Sequence, residues 1–146
     1  MIFRPAKIND IPGMIELAVE SVSRDPLPVR ISRPAMNDTL KGVVGHPSHF
    51  AWVGEEDGRI ESAVVATVSH GFWFERQQAS VLMFYTRKPG GGLPLLRQFA
   101  RWVKDRPAIK IAVFELEPYM DERFVRMFTR LGFGRRSTNM VYVRKQ

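Results

Sequence analysis

The chain has no cysteine in its 146 residues, which excludes disulfides, thiolate metal ligands and a cysteine nucleophile. It has three histidines; His46 and His49 stand close together, but a metal site built on them needs remote carboxylates, so no metal is expected. Long apolar runs are missing as well. Stretches such as 63–66 and 81–85 are far too short to cross a bilayer, and residues 1–5 lack the apolar segment of a secretory signal. A cytoplasmic protein without a membrane partner is expected.

Acidic residues are the scarcer charge, 15 against 22 lysines and arginines, giving a net charge of +7. Such a field attracts anions without choosing among nucleic acid, acidic protein and polyphosphate cofactor. Its distribution is more informative. Arg87, Lys88, Arg97, Arg101, Lys104 and Arg106 cluster in one stretch, whereas Glu55, Glu56, Asp57 and Glu61 make an acidic one. A local anion site is therefore favoured over a uniformly basic coat. The length and the 45% hydrophobic content suit one core and a single domain over 1–146.

Periodicity divides the chain further. Residues 2–6 read as an edge strand interrupted by Pro5. Helical spacing of Ile11, Met14, Ile15, Ala18, Val19 and Val22 behind an N-cap at Asp10 predicts a helix over 10–23. Residues 24–48 carry three closely spaced prolines and predict irregular chain with a short helix across 35–44. From 50 the period becomes two. Strands are predicted at 50–53 and 60–69 around an Asp57-Gly58 turn, and another at 79–85, where Ser80, Leu82 and Phe84 alternate with Val81, Met83 and Tyr85. A helix follows over 92–105, a strand from 109, a helix from Asp121 to Gly132, and a closing strand over 138–144. The apolar cluster Phe72-Trp73-Phe74 reads as core packing before an acceptor pocket or a dimer contact.

Chemistry concentrates at Arg87-Lys88-Pro89-Gly90-Gly91-Gly92. A strand, a glycine turn and a helix in succession bring backbone N–H groups and the positive end of a helix dipole to one point, an arrangement that holds phosphates. A Walker loop is excluded because no Gly-Lys-Ser/Thr follows, and the dinucleotide fingerprint fails on glycine spacing.

This hexapeptide fits the Arg/Gln-x-x-Gly-x-Gly/Ala signature, and the chain resembles the GCN5-related N-acetyltransferase (GNAT) family. The order of elements resembles the whole domain, and 125–133, ending in Leu131-Gly132-Phe133, resembles the family's late helix. The resemblance implies an α+β fold with a mixed, mostly antiparallel sheet flanked by helices. It also implies acetyl-CoA or another acyl-CoA as cofactor and an amine of a small molecule, peptide or protein as acceptor. Cofactor contacts are then expected from Leu82, Met83 and Phe84 along the strand, from Arg87, Lys88, Gly90, Gly91, Gly92 and Leu93 at the turn, and from Asp121.

Direct transfer to an amine requires a base and a proton donor. The family's frequent tyrosine acid falls here at Phe128, which cannot donate, and Phe128 with Phe133 instead suits a helix C-cap. Glu115 and Glu117 are left as candidate bases, and Tyr119 and Tyr85 as candidate acids. Two other functions fit parts of the sequence: a GNAT-like module that binds cofactor without turnover, and a nucleic-acid-binding protein drawn by charge.

Overall fold

Asp57 and Gly58 both adopt positive φ, +52° and +75°, and turn the chain at the tip of a long hairpin. Two left-handed residues in succession match the twist of the strands they join. The computed structural model describes residues 1–24, 26–72, 75–116 and 120–144. Around that hairpin it places β1 (Ile2–Pro5), α1 (Ile11–Ser23), α2 (Arg33–Val43), β2 (Phe50–Glu56), β3 (Arg59–His70), β4 (Gln77–Thr86), α3 (Leu93–Lys104), β5 (Ile109–Val113) and α4 (Glu122–Arg130).

The strands form one sheet in the order β1-β2-β3-β4-β5. The first three pairings are antiparallel and β4–β5 is parallel. This is the α+β, mixed and mostly antiparallel architecture expected from the sequence. Apolar side chains cover both faces. Met14, Leu17, Leu40, Val53, Val65 and Tyr85 pack beneath α1 and α2, while Phe50, Val64, Ala79, Leu95 and Phe99 pack beneath α3.

Two bulges set which side chains face which layer. Val65 pairs with Met83 and Ala66 with Val81, leaving Leu82 as an extra residue in β4. A one-residue insertion reverses the phase of a strand. Tyr85 and Met83 consequently join the α1 side, whereas Val81 and Ala79 join the α3 side. The uninterrupted alternation read across 80–85 is corrected here. A second bulge lies at Glu61, because Gly54 pairs with Ser62 and Glu55 with Ile60.

Asp10 stands at the N-cap of α1 but does not cap it with its side chain. Its carboxylate turns back to accept from the Lys7 N–H at 2.7 Å and from both terminal nitrogens of Arg4 at 2.7 and 3.0 Å. Arg4 also reaches Glu55 on β2 at 2.7 Å. The three charges thus tie the edge strand to the start of α1, and Arg4 holds the Asp10 carboxyl below the usual carboxylate range. Ser32 caps α2, accepting from the Ala35 N–H at 3.2 Å.

The closing strand expected over 138–144 does not form: this segment joins no ladder. Met140, Val141 and Tyr142 are 96%, 76% and 79% exposed. β5 pairs only with β4 and keeps an open outer edge among the described strands, so alternation at 138–144 supplies faces for a strand without by itself bringing the segment into a ladder.

Candidate functional site

The β4–β5 ladder is short. Pairing runs from Gln77↔Ile109 to Ser80↔Val113 and stops, while β4 continues six residues further to Thr86. The two strands part, and a cleft of about 450 Å³ opens where β5 falls away. Its floor is Val81, Leu82, Met83 and Phe84; Phe114 and Glu115 form the departing side. Helices close the rest, with Ser21 of α1 and Met36 and Thr39 of α2. The lining is apolar apart from two hydroxyls and the exposed carboxylate of Glu115.

The far end of β4 runs into the glycine turn, where each glycine has its own reason. Gly90 has a φ of +83° and open space around it, so the backbone conformation selects it. Gly91 and Gly92 are buried. A Cβ at Gly91 would collide with Thr86 Oγ1, and one at Gly92 would lie 2.7 Å from Phe84 Cζ. Close packing of the turn on β4 therefore excludes a side chain at both, whatever approaches from outside. The Gly91 N–H donates to the Lys88 carbonyl at 3.2 Å. Among the described residues, nothing accepts from the N–H groups of Gly90, Gly92 or Leu93, which precede or open α3.

Arg87 and Lys88 are not free cations. Arg87 donates to the Glu20 carboxylate on α1 and to the Ile60 carbonyl at 2.9 Å, with Glu61 at 3.7 Å. Lys88 pairs with Glu56. Both signature cations are held by carboxylates, Arg87 chiefly by Glu20 of α1 and Lys88 by Glu56 of the acidic stretch, pairings that spacing along the sequence did not reveal.

The remaining candidates divide. Leu82, Met83 and Phe84 line the cleft, as does Glu115. Tyr85 does not: it is 9% exposed in the core below α1, with the Arg24 guanidinium 5.1 Å from its ring centre. Glu117, Tyr119, Trp73 and Phe74 fall outside the described residues. Asp121 caps α4, accepting from the Arg123 N–H at 2.8 Å, and its carboxyl is held low by Arg123. No group of three or more His, Asp or Glu suited to a metal occurs among the described residues. None of their helices is long and apolar enough to cross a membrane.

Phe128 is buried against Phe114 and Phe133, with ring centres 4.4 and 5.6 Å away. The Phe133 N–H donates to the Phe128 carbonyl at 2.9 Å and the Gly132 N–H to that of Thr129 at 3.1 Å, around a Gly132 φ of +107°. These are the paired bonds of a Schellman cap. Residues missed by sequence reading are Ser21, Met36 and Thr39, which ordinary helical spacing gave no means of singling out.

A parallel pair that splits beside a glycine turn, with helices on both faces, defines the class of fold. No family model matches the chain, and no curated protein does. Solved structures do. One is a predicted acetyltransferase of Clostridium acetobutylicum with acetyl-CoA, at TM-score 0.72 and 14% identity over 98% of this chain and 95% of that one. Another is a Trypanosoma brucei acetyltransferase, at 0.68 and 14% over 97% of each. An aminoglycoside acetyltransferase from an uncultured soil metagenomic sample, in complex with sisomicin, matches at 0.67 and 12% over 99% and 96%. The chain has the GNAT acetyltransferase fold.

Proposed function

We propose that the protein is an acyl-CoA-dependent N-acyltransferase, moving acetyl from acetyl-CoA to a primary amine in the cytoplasm. The observation carrying this reading is the junction itself: a cleft opened by the parting of β4 and β5, running to a turn whose N–H groups at Gly90, Gly92 and Leu93 find no acceptor among the described residues. A diphosphate fits those amides at the positive end of α3. A narrow pantetheine arm fits the apolar cleft.

The bound thioester would supply an activated acyl group. The chain's part is to hold and orient. Leu82, placed out of register by the bulge, and its neighbours present strand backbone with no β5 partner to the cleft. Val81, Met83 and Phe114 exclude water from it. Ser21 and Thr39 offer hydroxyls that position an acceptor, and Glu115 at the mouth takes a proton from the incoming ammonium. The cleft contains a base but no tyrosine among its described lining residues, so the leaving thiolate takes its proton from water or from the acceptor.

Hydrogen exchange with and without acetyl-CoA tests the reading directly. Protection gained at residues 90–93 and along 81–84, together with release of thiol in the presence of an amine panel, is expected. No binding of acetyl-CoA sinks it. Phe128 favours a second reading, a module that binds the cofactor without turnover; binding and protection with no thiol release on any amine selects it.

A further inference from the structure

The helix side of the cleft has a chemistry of its own. α1 turns Ala18, Ser21 and Val22 to it, and α2 turns Met36, Thr39 and Leu40. Residues three and four apart share a helix face, so each helix presents a stripe of small and apolar side chains with a single hydroxyl. Both carboxylates of α1 are engaged elsewhere, Glu16 with Arg33 and Glu20 with Arg87. Asp38 of α2 is exposed and does not line the cleft. Glu115, just beyond β5, is left as the carboxylate that any ligand meets among the described lining residues.

Val22 and Leu82 are 41% and 53% exposed although both line the cleft. A ligand with an apolar body covers such surface and gains from doing so. Its charge is constrained as well. One ammonium finds Glu115, but a second, carried along the helix wall, loses water without gaining a counter-charge. The net charge of +7 opposes polycations at longer range.

We infer that the acceptor is a small monoamine with an apolar body, its ammonium at Glu115 and its body along the α1–α2 wall, and that this wall turns away polyamines and aminoglycosides. The inference rests on the acyl-CoA reading above and names the acceptor class within it. The cofactor's arm follows β4 toward the glycine turn, so the strand and helix sides of the cleft serve the two substrates. In the transfer, Glu115 takes one proton from the ammonium. The C–N bond then forms at the acyl carbon as the C–S bond breaks with its electron pair on sulfur, and a second proton passes from the nitrogen to that sulfur.

Heptylamine and hexamethylenediamine match along the chain except that one ends in a methyl group where the other ends in an ammonium. Thiol release from acetyl-CoA should give heptylamine a kcat/KM about tenfold or more above the diamine, with sisomicin below both. Thr39→Asp places a second carboxylate on the wall at an exposed position. It should narrow or reverse the preference while acetyl-CoA affinity by calorimetry and the thermal midpoint stay unchanged. Heptylamine added to the CoA-loaded protein should shift the NMR signal of the Met36 methyl group, and the diamine at equal concentration should not.

Equal kcat/KM for the two amines overturns the acceptor assignment while acetyl-CoA binding stands. So does sisomicin turned over as well as heptylamine, an unaltered preference in Thr39→Asp, or acetyl-CoA binding with thiol release on no amine. Failure of the wild type to bind acetyl-CoA removes the acyl-CoA reading itself, and the acceptor assignment falls with it.

Discussion

Arg87, at the end of β4, grips Glu20 of α1 across the sheet, its Nε 2.9 Å and its Nη2 2.6 Å from the two carboxylate oxygens. The same guanidinium donates to the Ile60 carbonyl, and the Arg87 N–H donates to the carbonyl of the bulged Glu61. The cation thus fixes where β4 stops and the glycine turn begins, and it connects that turn to the helix that carries Ser21.

The sign of one substitution separates this strut from a phosphate ligand. Glu20→Gln removes a negative charge and frees Arg87. Were Arg87 reaching for phosphate, acetyl-CoA would bind more tightly to the variant. Held as a strut, it loses its anchor and binding weakens. We expect weakening, together with a stability loss of about 1 kcal/mol given the partial exposure of Glu20. Arg87→Lys should not rescue the geometry, because an ammonium cannot make the forked contact. Calorimetry of the three proteins checks both statements.

Much of the fold was legible because side-chain period reports local structure directly. The Asp57-Gly58 turn, the Schellman end at Gly132 and the apolar stripe of Leu95, Leu96 and Phe99 are all local patterns, and each stands where the sequence puts it. Nonlocal choices were not legible. An inserted Leu82 looks like any strand leucine until β3 supplies the register. Arg87 and Glu20 are far apart in sequence, and an apolar segment at 138–144 does not reveal whether it docks on an open sheet edge. The cleft shows the same division: the floor at 81–84 was readable from its place before the glycines, but the wall from α2 depended on how that helix packs.

Phe128 fills a site that rejects the polar alternative. Its ring is 4% exposed and lies among Phe114 and Phe133, so the hydroxyl of a Phe128→Tyr variant has no evident partner. Burying it unpaired costs about 1–3 kcal/mol. Thermal or chemical denaturation should show that loss, and thiol-release assays should show no gain in turnover. A faster and equally stable variant would mean that the position opens to the cleft.

Glu115 is the one carboxylate among the described lining residues of the cleft. If it takes the acceptor's proton, Glu115→Gln lowers kcat/KM for amine by about 100-fold, the lower end for general-base removal. Its location at the mouth predicts no change in acetyl-CoA affinity. Steady-state kinetics beside calorimetry reads the two effects separately, and loss of cofactor binding in the variant would assign the residue to the wrong ligand.

His49 gives the fold a pH dependence away from the cleft. Its Nδ1 accepts from the Val68 N–H at 3.0 Å, a bond open only to an unprotonated nitrogen. Burial and the neighbouring His46 hold its imidazole below the ordinary range. Protonation is thus easier in the unfolded chain than in the native one. The resulting stability is fully present above the ordinary imidazole pKa of about 6.5 and declines as pH falls toward the lowered native value. One such proton sets a slope no steeper than about 1.4 kcal/mol per pH unit. Urea denaturation across mildly acid pH should therefore show wild-type stability falling, and His49→Gln should flatten that part of the profile. A His49 resonance titrating above the ordinary range in NMR would reverse the sign and overturn the assignment.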